Sequence, residues 1–439
     1  MTSITQDGGQ NISHNNAGDA VSGHEPSAAT ATAHATPEGN PQAAARSAGF
    51  VASLGAMFLM ATSAIGPGFI TQTTVFTVQM GAAFAFAILV SILVDVAIQL
   101  NVWRVLGVSG LRAQELGNTV LPGLGWVMAA FVFIGGAVFN IGNIGGTGLG
   151  MNAMFGIDAR IGGAISALIA IFIFVSKKAG LALDRIVVAL GAIMILLMIY
   201  VAVVSAPPVG DALKNTVLPE EVDFLVITTL IGGTVGGYIT FAGAHRLIDS
   251  GLTGVENVKS ITQVSVLGII VTCIMRVLLF LAILGVVASG VTLAGDNMAA
   301  DAFRHAAGEI GVRFFGVVLW AAGLTSVVGA SYTSISFITT QETKARTRSW
   351  MTIAFIAVCA VVYLWLNQAP QKLLIFAGAF NGLILPIGFA AVLWVAWRRR
   401  DLLQGYKYPA WLLFVGVITW LLTLYLAWSS LSKLGTLWA

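Results

Sequence analysis

The chain has 439 residues, of which 57% are hydrophobic and only 9% charged, with a net charge of +3. A soluble domain carries about a quarter of its residues as charges, so that class is excluded, and so small a net charge gives no argument for nucleic acid. Apolar stretches long enough to cross ~30 Å of hydrocarbon make this a polytopic, all-α membrane protein.

Residues 1–46 form a polar tail of Ala, Gly, Ser, Thr, Asn and Pro with no basic residue before Arg46. Such a composition cannot bury a core and is expected to be disordered. No basic n-region precedes a short apolar segment, so no signal peptide is expected. His14, His24 and His34 lack ligand spacing, and the tail reads as solvated. From Ser47 onward the hydropathy predicts about eleven membrane-spanning helices, near 48–78, 82–106, 123–150, 161–177, 185–206, 224–244, 262–288, 312–338, 350–367, 371–397 and 410–432. With the N-terminus in the cytoplasm, fifteen Lys and Arg fall on the inner side and six on the outer. The positive-inside rule therefore favours that orientation, in a plasma membrane of bacterial inner type. Cys273 and Cys359 both lie within apolar runs and read as packing residues.

The first span carries Gly66-Pro67-Gly68 followed by Thr71, Gln72, Thr73 and Thr74. Proline removes a backbone donor and glycine relaxes the helix, so a break is predicted here. At membrane depth such a break is tolerated only inside protein or beside a cavity. The sixth span holds a second candidate break, "GGTVGGY", with Gly232, Gly233, Thr234, Gly236, Gly237 and Tyr238. Two breaks five spans apart point to a transporter of two inverted five-helix repeats, 47–206 and 207–398, with a further span in 399–439. Close helix packing of the GxxxG kind is the competing reading of the four glycines.

These features resemble the Nramp (natural resistance-associated macrophage protein) divalent-metal transporters, which have a LeuT-type fold. The resemblance covers about residues 50–400 and rests on "IGPGF" at 65–69, "GGTV" at 232–235, "GLGMNAMFGI" at 148–157 and the Leu385-Pro386 pair. It implies alternating access about the two breaks. It also exposes departures. Where the family has metal-ligating Asp and Asn around Pro-Gly, this chain has Gly66 and Phe69. The family's Met-Pro-His in the sixth span is replaced by Gly236-Gly237-Tyr238, and its acidic pair in the third by Asn140 and Asn143. Carbonyls and hydroxyls alone rarely offset the dehydration of a divalent cation, which is normally held with carboxylates. The substrate therefore reads as a small polar or anionic organic solute, with a divalent metal on non-standard ligands as the alternative.

The breaks would aim backbone dipoles at the substrate, with Thr71, Gln72, Thr234 and Tyr238 adding neutral groups. Threonines bonding back to their own helix are the plainer reading of that cluster, and Asn140 and Asn143 could equally be interhelical glue. Two intramembrane charges remain, Asp95 and Arg276. Asp95 is a candidate relay for a coupling proton or Na⁺; a structural pair, or snorkelling to the interface, is the alternative. Both are placed nearer the cytoplasmic half of their spans. His245 and Arg246, followed by Asp249, form a candidate inner gate or a simple cytoplasmic cap. No phosphate-binding loop, metal-hydrolase motif or catalytic pair is present, so neither an enzyme nor a cofactor is expected and transport should be gradient-driven.

Overall fold

A computed structural model describes residues 65–237, 239–340 and 342–435, with the backbone alone at 177–189 and 432–434. The N-terminal tail with its histidines, the first half of span 1 and Tyr238 lie outside the described residues.

All regular structure among the described residues is helical. In chain order it comprises α1 (Pro67–Met80), α2 (Phe84–Ser109), α3 (Ala113–Val120), α4 (Leu124–Phe155), α5 (Ala159–Val175), α6 (Lys177–Ser205) and α7 (Val209–Val217). Then follow α8 (Phe224–Thr234), α9 (Ile239–Asp249), α10 (Val258–Ala288), α11 (Met298–Ile338), α12 (Ala345–Leu366), α13 (Pro370–Arg398) and α14 (Ala410–Leu434). Among the described residues a helix matches each of the eleven predicted spans, the first only from Pro67 onward, and most other ends agree within a few residues. Three features were not anticipated. The short helix α3 sits in what read as a loop, α7 turns by 107° from the end of α6, and α11 begins fourteen residues before the predicted span at 312. A kink at Gly308, with φ of 67°, separates that outer segment from the spanning part of α11.

The centre of the bundle is α4 packed along α11, with α13 against both α4 and α8. Hydrophobic attraction cannot join helices in lipid, so close backbone approach and hydrogen bonds must do so. Gly150 of α4 meets the backbone of Trp320, and Gly316 of α11 meets that of Met154. The last span is tied on by polar contacts: Trp420 Nε1 donates to the Pro386 carbonyl at 3.0 Å, and Thr228 and Ser430 hydroxyls pair at 2.8 Å. Outward, Trp126, Leu168, Phe172, Val203, Trp365 and Trp428 stand exposed, as a lipid-facing surface requires.

Candidate functional site at the two helix breaks

The first break is visible from Ile65. Gly66 is extended (φ −92°, ψ −171°) and caps α1 without a side chain, and Pro67 takes the first helical position, where its missing N–H costs nothing. The turn is seated between α4 and α11: Pro67 abuts Gly146 and Gly323, Gly68 abuts Phe139, and Gly66 faces Ser326 with Asn143 close by. A helix therefore starts at the predicted 66–68 motif, wedged into the bundle core; the part of the span before Ile65 lies outside the described residues.

At the second break α8 ends at Thr234, and the N–H groups of Val235 and Gly236 both donate to the Ile231 carbonyl at 2.9 Å. The chain turns at Gly237, whose φ of 49° favours glycine, and α9 resumes at Ile239. The four glycines do different things. Gly232 packs against the backbone of Gly378 and Gly382 in α13, which is the close-packing reading; Gly233 faces Gln72, and Gly237 faces Asn381 Oδ1. Close packing thus accounts for Gly232, whereas Gly233 and Gly237 stand next to polar side chains.

Gln72 links the two breaks. It is fully buried, touches Gly233 and Gly378, and donates through Nε2 to the Leu374 carbonyl at 3.0 Å, leaving Oε1 without a partner. Thr73 Oγ1, both amide atoms of Asn143, and the Oδ1 atoms of Asn140 and Asn381 are likewise buried and unpartnered. Asn140 donates to Ser331 Oγ at 3.2 Å, which is the interhelical contact foreseen for it. Asn381, which lies far from either motif in sequence, donates to the Gly135 carbonyl at 3.0 Å. Unsatisfied buried polar atoms cost about 1–3 kcal/mol each. Gln72, Asn143 and Asn381 bring such atoms next to Gly233, Gly66 and Gly237. The threonines divide: Thr74 and Thr234 bond back to Ile70 and Leu230 of their own helices, while Thr71 is buried beside Gln72 in sequence.

Asp95 and Arg276 do not snorkel, being only 4% and 1% exposed. Each stands in the middle third of its helix rather than towards the cytoplasmic half. Together they line a water-sized cavity between α2, α8 and α10, with Thr234, Val235, Thr272 and Cys273. The carboxylate reaches the Thr234 hydroxyl, and the guanidinium lies 4.5 Å above the Phe69 ring. Sequence separation hid this: residues from four helices put both intramembrane charges at the depth of the breaks. Thr234 belongs to this cavity, with its own proton already donated, and not to the amide-lined site. Cys273 also lines the cavity instead of only filling space. Among the described residues, no three His, Cys, Asp or Glu side chains converge to hold a metal.

The family model described as "natural resistance-associated macrophage protein-like" matches residues 57–433. The chain belongs to the Nramp family. Its members are transporters, not enzymes, and this one is an integral membrane protein of the LeuT fold. The uncharacterised membrane protein YcsG of Bacillus subtilis is 50% identical over 366 residues, covering 83% of this chain and 90% of that protein. A point variant of the Eremococcus coleocola manganese transporter superposes with a TM-score of 0.68 at 17% identity, covering 87% of this chain and 86% of that one. MhsT, solved with L-phenylalanine, superposes with a TM-score of 0.63 at 16% identity over 85% and 98% of the two chains.

In this Nramp-family bundle, a polar latch at the end predicted to face the cytoplasm joins α3, α9 and α11. Arg112, fully buried, donates to Asp249 Oδ1 at 2.6 Å and to the carbonyls of Ser336 and Thr339 at 3.2 and 3.1 Å. The Tyr332 hydroxyl donates to the other Asp249 oxygen. His245 accepts from the Ala113 N–H through Nε2 at 3.1 Å. Its proton must then be on Nδ1, which donates to Ser336 Oγ at 2.9 Å. His245 joins this network but Arg246, the other gate candidate, does not: it is exposed, and Arg112 is the arginine bonded to Asp249. Sequence reading missed Arg112 because its partners are more than 130 positions away. The local signal was Glu115, three residues on, whose carboxylate accepts the Arg112 N–H at 2.9 Å and starts α3.

Proposed function

We propose that this Nramp-family protein is a gradient-driven symporter of a small polar or anionic organic solute, working in a bacterial inner membrane with its N-terminus in the cytoplasm. The two repeats, 47–206 and 207–398, would alternate access about the breaks. The observation that carries the reading is the donor set between them. Gln72, Asn143 and Asn381 offer amides with unmatched hydrogen-bonding atoms, and Gly66 and Phe69 stand where the family's metal ligands would be. Amides and the half-helix N-terminus of α1 suit carboxylate, amide or hydroxyl groups. A divalent cation would need compensating carboxylates. The carboxylate of Asp95, beside Thr234 and Val235 at the second break, shares its cavity with Arg276, whose charge repels a metal ion.

The test is Mn²⁺ entry into sealed proteoliposomes, read by quenching of a trapped dye. The expected result is no entry above empty liposomes from a preparation that elutes as a single folded species, alongside saturable uptake of small organic acids or amino acids. Saturable Mn²⁺ entry that disappears in Gln72→Ala would overturn the reading and place a divalent metal, as in the Eremococcus coleocola protein, at the same breaks.

A further inference from the structure

We infer that Arg276 is the anion-recognition group of this transporter, and that a substrate monocarboxylate and the Asp95 carboxylate are its alternating partners, so that one proton enters with each anion. The inference rests on the organic-solute reading above and names the substrate class and the coupling.

Four observations support it. Asp95 Oδ1 and the Nε and Nη2 atoms of Arg276 are buried without hydrogen-bond partners, although the two side chains line one cavity. An ion pair kept only for structure would close, because buried charges demand full compensation. Arg276 is also held on the Phe69 ring, so its charge stands beside the first turn of α1, whose leading N–H groups have no partner within the helix. A carboxylate arriving at the breaks would therefore meet a helix N-terminus and a guanidinium together, the donor set that best binds carboxylate. Finally, the cavity includes Thr234 at the end of α8, so its charge state bears directly on the second break.

Charge balance dictates the coupling. In the empty site Asp95 neutralises Arg276. Bringing in an anion would leave two negative charges against one positive at mid-bilayer, which is very costly. Protonation of Asp95 removes the excess: one anion and one proton enter, and the site stays neutral. A Na⁺ ion in this cavity would instead face the guanidinium. The other ionisable groups leave Asp95 as the titrating member. Neither α1 nor α8 has a titratable side chain, and α10 contributes only Arg276 and the Cys273 thiol here. Those of α9 and α13 stand at helix ends or, like His245, are engaged in the latch; Asp211 and Lys214 of α7 and Tyr425 of α14 are exposed.

The experiment adds L-lactate or pyruvate to purified protein in weakly buffered detergent near neutral pH, following binding by calorimetry and proton uptake with an indicator dye. The expected result is one proton taken up per anion bound, with affinity rising up to about tenfold for each unit fall in pH. Asp95→Asn should bind the anion without proton uptake and without pH dependence. Arg276→Gln should lose binding and Arg276→Lys should retain part of it, which a purely structural arginine would not do. Binding without proton uptake in the wild type, or undiminished binding by a folded Arg276→Gln protein, overturns the inference and leaves the organic-solute reading standing. If neither acid binds the wild type, the monocarboxylate assignment falls. The Mn²⁺ and amino-acid uptake assay then decides the broader reading separately.

Discussion

Replacing Arg112 by alanine should open the bundle at the end where α3, α9 and α11 meet. The side chain is fully buried and bridges Asp249 to two α11 carbonyls. Its removal leaves a carboxylate facing a protein interior and two carbonyls without donors. Breaking a buried pair in this way costs about 3–5 kcal/mol, enough to move a two-state equilibrium by a factor of hundreds or more. The site itself holds no part of this latch, so the cost should appear as a change of conformation before loss of fold. The measurement is labelling of a cysteine introduced at Ser334, fully buried in this structure and outside the latch, by a membrane-impermeant maleimide. In the otherwise wild-type protein it should stay protected, and with Arg112→Ala it should react rapidly. Protection unchanged in both would show that the latch does not gate access. Arg246→Ala, on an exposed side chain, should have no effect in the same assay.

Gly232→Ala is expected to abolish transport and lower thermal stability, although it adds only one methyl group. The new carbon would overlap the Gly378 carbonyl and lie within van der Waals radii of the Gly382 nitrogen. Both are backbone atoms of α13 and cannot rotate away. Overpacking commonly costs about 1–3 kcal/mol even where side chains can adjust; here α8 and α13 must separate, and with them the contacts of Gln72 to Gly233 and Gly378. The comparison is Gly191→Ala, where nothing stands near the added carbon and alanine favours the helix by about 1 kcal/mol over glycine. Uptake of the organic substrate and the melting temperature in detergent, measured for both variants, separate the cases. Equal behaviour of the two would refute the close approach of α8 and α13.

How much of this was legible in the sequence can be judged from particular residues. Span number, span boundaries and the two breaks were readable because lipid imposes a local rule: every backbone group must be paired within about twenty consecutive apolar residues, and exceptions announce themselves as Gly and Pro. The reading that metal-ligating side chains are missing at Gly66, Phe69 and Gly236–Gly237 rests on residue identity at two short motifs and so on the resemblance alone. Asn381 was not legible, because an amide in an apolar helix carries no sign of the helix it will face. Arg112 read as one more positive-inside charge, and Arg246 read as a gate because it adjoins His245 in sequence; only packing turned the first inward and the second outward. That Asp95 and Arg276 could lie close together was foreseen as a possibility, but their shared cavity beside Thr234 and Phe69 was not. That position depends on how α1, α2, α8 and α10 cross, and crossing angles are set by side-chain packing along whole helices, with no local motif to record them. By itself, then, the sequence determined a polytopic helical membrane transporter of this family. The tertiary structure decided which polar groups surround the breaks and which charges they meet, because in a bundle held by close packing those neighbours come from helices more than a hundred residues apart.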